Sequence, residues 1–263
     1  MSIRTSWRRA AAALAGVLVL PWAGSASADA PEPDWRALWA RVLERHTERV
    51  DAKVGTRVDY AALRSDADWR ALTAALERFD PTTLASRRDR IAFWIDAYNV
   101  LAIRIVLEHW PVESIRDIGS FFRPVWKREA GRIGGRGYSL DEIEHEILRP
   151  MGEPRIHGAI VCASISCPDL RREPYRPERL DAQLDDNVRA WLAHDDKGLA
   201  IDRAAADIRL SPIFDWFEED FAAAGGVLAF VARYAPPDAR AWLEANADRA
   251  DVSYFDYDWG LND

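Results

Sequence analysis

The chain has 263 residues, a formal charge of −8 and 49% hydrophobic residues, with 12 tryptophans. Such a length and apolar content suffice for one sizeable core, and an acidic balance argues against nucleic acid or an anionic membrane surface as partner. No cofactor is expected: there is no glycine-rich phosphate loop, no Gly-x-Ser-x-Gly elbow and no His-Glu-x-x-His.

Residues 1–28 have the pattern of a cleaved signal peptide: Arg4, Arg8 and Arg9, then an apolar run from Ala10 to Leu20, then Ala26-Ser27-Ala28. The run is too short for a permanent anchor, and no later stretch of spanning length is free of charge. An exported protein, periplasmic or secreted, is therefore expected, with Arg8-Arg9 leaving the twin-arginine route open beside the general one. The two cysteines, Cys162 and Cys167, would then meet an oxidising compartment, where a disulfide between them is one expectation.

After the acidic entry Asp29 to Asp34, apolar spacing predicts helices over Trp35–Arg49 and Ala67–Phe79. The helix predicted over Arg88–Glu108 is apolar on every side, the mark of a central, buried element. Phe122 to Tyr138 reads as a β-ribbon turning at Gly134-Gly135. Ser139 and Glu142 form a capping-box match that opens a helix to about Arg149. Ile156–Ala163 has the continuous apolar run of a strand buried on both faces. Arg179–Ala193, Val227–Tyr234 and Asp238–Asn246 read as helices, and Leu199–Ile201, Asp207–Leu210 and Val252–Tyr257 as strands. The fold class is α+β: a buried central helix and peripheral helices packed on a small mixed or antiparallel sheet. Residues 29–57 are expected to be an N-terminal helical extension, and 58–263 a single domain.

Polar residues that interrupt apolar patterns need partners. Asp96 and Asn99 point inward on the central helix, either as a packing network or as part of a site. Glu144 falls in the middle of the stripe formed by Leu140, Ile143, Ile147 and Leu148, with His145 on its flank. A carboxylate there is paired with a base or protonated by desolvation, and either state suits acid–base work or a structural ion pair. At the expected strand's C-terminal end, Ser164, Ser166 and Cys167 cluster, with Cys167 in a turn and expected within reach of solvent, whereas Cys162 lies within the strand as a small core filler. His157 sits at the strand's other end, and seven extended residues span about 23 Å, so His145 is the better base. A zinc site from His145, His157 and the cysteines fits only loosely, because four residues separate the cysteines and there is no second pair. His46, His109 and His194 are expected on the surface.

The strings Phe93–Asn99, Trp110–Ile118, Tyr138–His145 with Ile147–Arg149, and Pro154–Pro168 resemble the family catalogued as domain of unknown function 547. So do Tyr175, Asp215-Trp216 and Tyr257–Asn262, and the resemblance runs from about Val58 to Leu261. It implies a relationship to bacterial exported proteins and to plant and animal proteins, but no activity. The family pattern usually has Asn where this chain has Asp96. The arrangement is also faintly similar to papain-like and transglutaminase-like folds, although those carry the nucleophile on a central helix and this one has no cysteine.

The expectation that joins these residues is a cysteine-dependent acyl-transfer or hydrolase site. Cys167 or Cys162 would be the nucleophile, His145 the base, and Glu144 or Asn99 the group orienting it. Ser164, Ser166 and Asp96 would contact substrate or a developing oxyanion. The alternative is a non-catalytic envelope module, stapled by a Cys162–Cys167 disulfide, that binds a peptide, a glycan or an envelope protein.

Overall fold

A computed structural model describes residues 34–120 and 123–263, so the signal-peptide reading of residues 1–28 lies outside the described residues. Helix α1 (Trp35–His46) is capped by Asp34 and buries Trp35, Leu38, Trp39, Val42 and Leu43, the spacing predicted for it. It stops three residues early because Thr47–Arg49 (β1) pairs antiparallel with Thr56–Val58 (β2). A short helix α2 (Tyr60–Leu63) and α3 (Ala67–Arg78), capped by Asp66, follow.

The central helix α4 runs Arg87–His109 from a complete Ser86/Asp89 capping box, and every residue from Ile91 to Ile103 is buried. Its inward polar residues act as hooks. Asp96 accepts from Trp39 Nε1 of α1 (3.1 Å) and from the Tyr175 backbone (2.9 Å). Burial drives the Asp96 carboxyl well above the ordinary range, against those two donors. Asn99 donates to Ala159 O (3.0 Å) and accepts from Val161 N (2.8 Å).

The hairpin β3 (Glu129–Ile133) and β4 (Arg136–Ser139) turns at Gly134 and Gly135, both with positive φ. The ribbon opens later than predicted, since Val125–Lys127 forms a 3-10 turn. Ser139 caps helix α5 (Leu140–Glu142), which continues as a π-helix over Ile143–Leu148, with Arg149 N bonded back to Glu144 O. The predicted α-helix is thus widened just where Glu144 and His145 stand, a distortion common at functional sites.

The apolar run Ile156–Ala163 is buried, except for the half-buried Cys162, but it is not a strand. Pro154–Gly158 is a 3-10 helix, Ala163 has φ +63°, and only an isolated bridge joins Ser164 to Leu261. Strand neighbours are unnecessary because other groups satisfy the backbone: Asn99 serves Ala159 and Val161, and the C-terminal tail serves Ala163, Ile165 and Ser166.

Helix α6 (Leu180–Leu192) leads to β5 (Leu199–Asp202) and β6 (Asp207–Leu210), then α7 (Ile213–Trp216), α8 (Val227–Tyr234), α9 (Pro237–Asn246) and β7 (Asp251–Tyr254). These strands form a mixed sheet in the order β5-β6-β7, antiparallel then parallel. Strand β7 ends at Tyr254, short of the predicted Tyr257, because its partner β6 ends at Leu210, which pairs with Tyr254. A second core of Trp191, Phe214, Phe221 and Phe230 covers this part, beside the main core around α4. The architecture is α+β, with small two- and three-stranded sheets.

Asp96→Ala leaves two buried N–H donors without an acceptor, so a loss of about 3 kcal/mol in urea unfolding is expected. Asp96→Asn, which keeps one acceptor oxygen, should lose less.

Candidate functional site

A cleft of about 180 Å³ opens beside α4. Tyr98 of α4, Glu144 and His145 of the π-helix, and His157 of the 3-10 helix line it, together with Cys162 and Cys167. The opposite wall is aromatic: Trp216 and Phe217 at the end of α7, and Tyr257 and Trp259 of the tail. Trp216 is 47% exposed and stacks on Trp259 at 5.8 Å.

The positive φ of Ala163 folds the chain back, so that Cys167 returns to Cys162 with its N–H bonded to Ser164 O (3.1 Å). Both cysteines are free thiols. Their Sγ atoms lie 2.8 Å apart, beyond the ~2.05 Å of a disulfide, so the expected staple is not formed. Cys167 Sγ also accepts from the Cys162 backbone N–H (3.1 Å) and lies 3.2 Å from the Tyr257 hydroxyl. Burial opposes ionisation of Cys167, but the Cys162 thiol, the Tyr257 hydroxyl and nearby backbone groups outweigh it and bring its pKa below the ordinary thiol value. Cys162 moves the other way, chiefly because its thiol is engaged by Cys167 and then through burial.

Behind the thiols, Lys197 is a fully buried ammonium that sequence reasoning passed over. Its Nζ donates to Asp169 Oδ1 (2.7 Å), Cys167 O (2.9 Å) and Val54 O (3.2 Å), fixing the backbone that carries the thiol. Burial raises the Asp169 carboxyl, but His194 and Lys197 overcome this and hold it below its usual value. Gly55, at φ +69°, allows this packing, since a Cβ there would lie 1.9 Å from Asp169 Oδ1. His194, paired to Asp169 at 3.2 Å, and His46, paired to Asp66 at 2.9 Å, are partly buried rather than the surface residues expected. His109 is exposed as expected.

The acid–base residues are placed differently from expectation. His157 belongs to the cleft, because a 3-10 helix and turns replace the extended strand on which its 23 Å separation rested. Its ring is buried, stacks on Phe217 at 4.3 Å, and meets Asp220 Oδ2 at 2.7 Å through Nε2. Its Nδ1 lies 4.0 Å from Glu144 Oε1. Burial lowers the His157 pKa despite Asp220. Asp220 also takes Arg149 through both oxygens (2.6 and 2.9 Å), and His157 with Arg149 holds its carboxyl far below the usual range against burial. His145 reaches the cleft edge, but Nδ1 is engaged by Arg149 (2.6 Å), and among the described residues neither imidazole is hydrogen-bonded to a thiol.

Of the remaining candidates, Asn99 orients the Ala159–Val161 backbone rather than a histidine, and Asp96 is locked to Trp39 and Tyr175, away from the cleft lining. Ser164 Oγ accepts from the Cys162 thiol at 3.5 Å. Ser166 Oγ accepts from Asp258 N (2.9 Å), so it anchors the tail that carries Tyr257 and Trp259 instead of facing an oxyanion. Tyr257, Trp216 and Phe217 were not selected as site residues. Tyr257 and Asp215-Trp216 stood in the recognisable strings, but no local pattern gave them a role.

Glu144 is pushed up to about 7, chiefly by burial, with Arg149 opposing. A raised folded-state value means that this carboxyl costs nothing below its unfolded pKa near 4.5, and destabilises increasingly as pH rises through about 7. Glu144→Gln should therefore match the wild type in thermal stability near pH 4. Its advantage should grow to at most about 3 kcal/mol above pH 8, and an advantage constant across the range would contradict this assignment.

No curated protein and no solved structure matches this chain. Residues 82–192, which include α4, the π-helix, both cysteines and α6 but not α7 or the tail, match the family described as Protein of unknown function, DUF547.

Proposed function

We propose that the cleft is the site of cysteine-dependent acyl transfer or hydrolysis, with Cys167 as nucleophile. The observation that carries this reading is the set of groups around one sulfur: the Cys162 N–H, the Cys162 thiol and the Tyr257 hydroxyl all lie within 3.2 Å of Cys167 Sγ. A thiolate so held is nucleophilic near neutral pH without an imidazole in contact. Its attack on an acyl carbonyl forms a thioester, and the leaving group departs with a proton. Glu144 is the cleft group suited to supply that proton, since its carboxyl titrates at about 7. In this reading His145 and His157 tune Glu144 through Arg149 and Asp220. If residues 1–28 act as the export signal that their pattern suggests, the site works outside the cytoplasm.

A second reading has one observation in its favour: the exposed Trp216, stacked on the half-buried Trp259, forms a platform for a peptide or a glycan. A non-catalytic module of this kind would keep its binding after Cys167→Ala.

The test is reaction with an activated ester, p-nitrophenyl acetate, read as acetyl mass on tryptic peptides. The expected product is a thioester on Cys167 that Cys167→Ala abolishes. Iodoacetamide should alkylate Cys167 with a midpoint below the ordinary thiol value of ~8.5, and Tyr257→Phe should move that midpoint upward. An unmodified Cys167, or an alkylation midpoint at or above the ordinary value, would overturn the proposal.

A further inference from the structure

The two sulfurs lie 2.8 Å apart, and acyl transfer uses the second of them only as a neighbour of the first, not as a reacting atom. Their 2.8 Å separation needs to shorten by less than an ångström to reach the bonded length of ~2.05 Å. The connecting turn is already closed, with Ala163 in the left-handed region and Cys167 N–H on Ser164 O. The turn therefore already holds the two sulfurs close to one another. Both sulfurs line the cleft, so oxidation can be delivered there.

The size of the oxidant follows from burial. Cys167 is 2% exposed and Cys162 half-buried, and both line the cleft with Trp216, Phe217 and Tyr257. Burial of this degree at Cys167 favours a small hydroperoxide over the disulfide of a folded protein as oxidant. Sulfenic acids condense with an adjacent thiol, and the adjacent thiol here is Cys162.

We propose that Cys162 and Cys167 form a two-thiol centre that reduces a small hydroperoxide, with Cys167 oxidised first and Cys162 resolving it. This shares with the acyl-transfer reading only the premise that Cys167 is the reactive sulfur. Cys167 sulfur attacks the outer peroxide oxygen, the O–O bond breaks, and the thiol proton ends on the departing oxygen as alcohol or water. Cys167 is now a sulfenic acid, oxidised by two electrons, and the peroxide has been reduced by two. The Cys162 sulfur displaces the hydroxyl, which leaves as water with the Cys162 proton, and the S–S bond forms. A small dithiol returns both cysteines to thiols by exchange and is itself oxidised to a disulfide.

The test treats the reduced, full-length chain with equimolar hydrogen peroxide at neutral pH and follows the tryptic peptide Ile156–Arg171, which holds both cysteines. The expected result is a peptide lighter by two hydrogen atoms, reversed by dithiothreitol. Cys162→Ser should instead give a sulfenic acid on Cys167 that dimedone traps, and Cys167→Ser should leave Cys162 a thiol. The proposal is overturned if the wild-type peptide is unchanged, if Cys167 proceeds to sulfinic acid beside a free Cys162, or if Cys167→Ser is oxidised as fast as the wild type. A disulfide without a thioester from the activated ester defeats the acyl-transfer reading alone. A thioester without a peroxide-driven disulfide defeats this one alone.

Discussion

The Asn99 side chain supplies to Ala159 and Val161 the two hydrogen bonds that a neighbouring strand would otherwise provide. Everything at the site depends on that substitution of an amide for a sheet. A buried, irregular backbone is tolerated only where each N–H and C=O has a partner. With the partner on a helix, residues 159–168 are free to leave the extended path and bring Cys167 back to Cys162. The tail completes the arrangement from the other side, through Ala163, Ile165, Ser166 and the Tyr257 hydroxyl. Helix and tail, far apart in sequence, thus clamp one loop between them.

The electrostatics of the cleft separate into two compartments. Among the described residues no cation contacts the thiols, and neutral donors lower the Cys167 pKa against the opposing effect of burial. Around Glu144 the charges are abundant but mutually satisfied: Arg149 bridges His145 and Asp220, and Asp220 holds His157. Among the described residues Glu144 makes no ion pair with a guanidinium, and burial is the largest cause of its raised pKa. Lys197 acts behind the thiols, tying the Cys167 carbonyl to Asp169 and the β1–β2 connection.

The α+β class, the buried α4, the Gly134-Gly135 hairpin and the Ser139 cap were legible because each is a local pattern with a single physical cause. Glu144 was legible for the same reason, as a carboxylate in the middle of an apolar stripe. The segment Ile156–Ala163 was misread in shape but not in burial. An apolar run reports that a segment is inside, and it carries no information about whether its backbone is paired by strands or by side chains. That one error displaced His157 from the site and made His145 the preferred base.

Sequence alone determined the apolar faces and most of the helices, and that Glu144 breaks the surrounding apolar pattern. Only the tertiary structure decided that the thiols touch without bonding, that His157 shares their cleft, that Tyr257 completes the shell of Cys167, and that Lys197 lies beneath it. The division has a physical basis. Burial and periodicity are set by neighbours a few residues away, whereas a pKa or a sulfur–sulfur distance is set by groups such as Tyr257 and Cys167, ninety residues apart, whose meeting only the folded chain brings about.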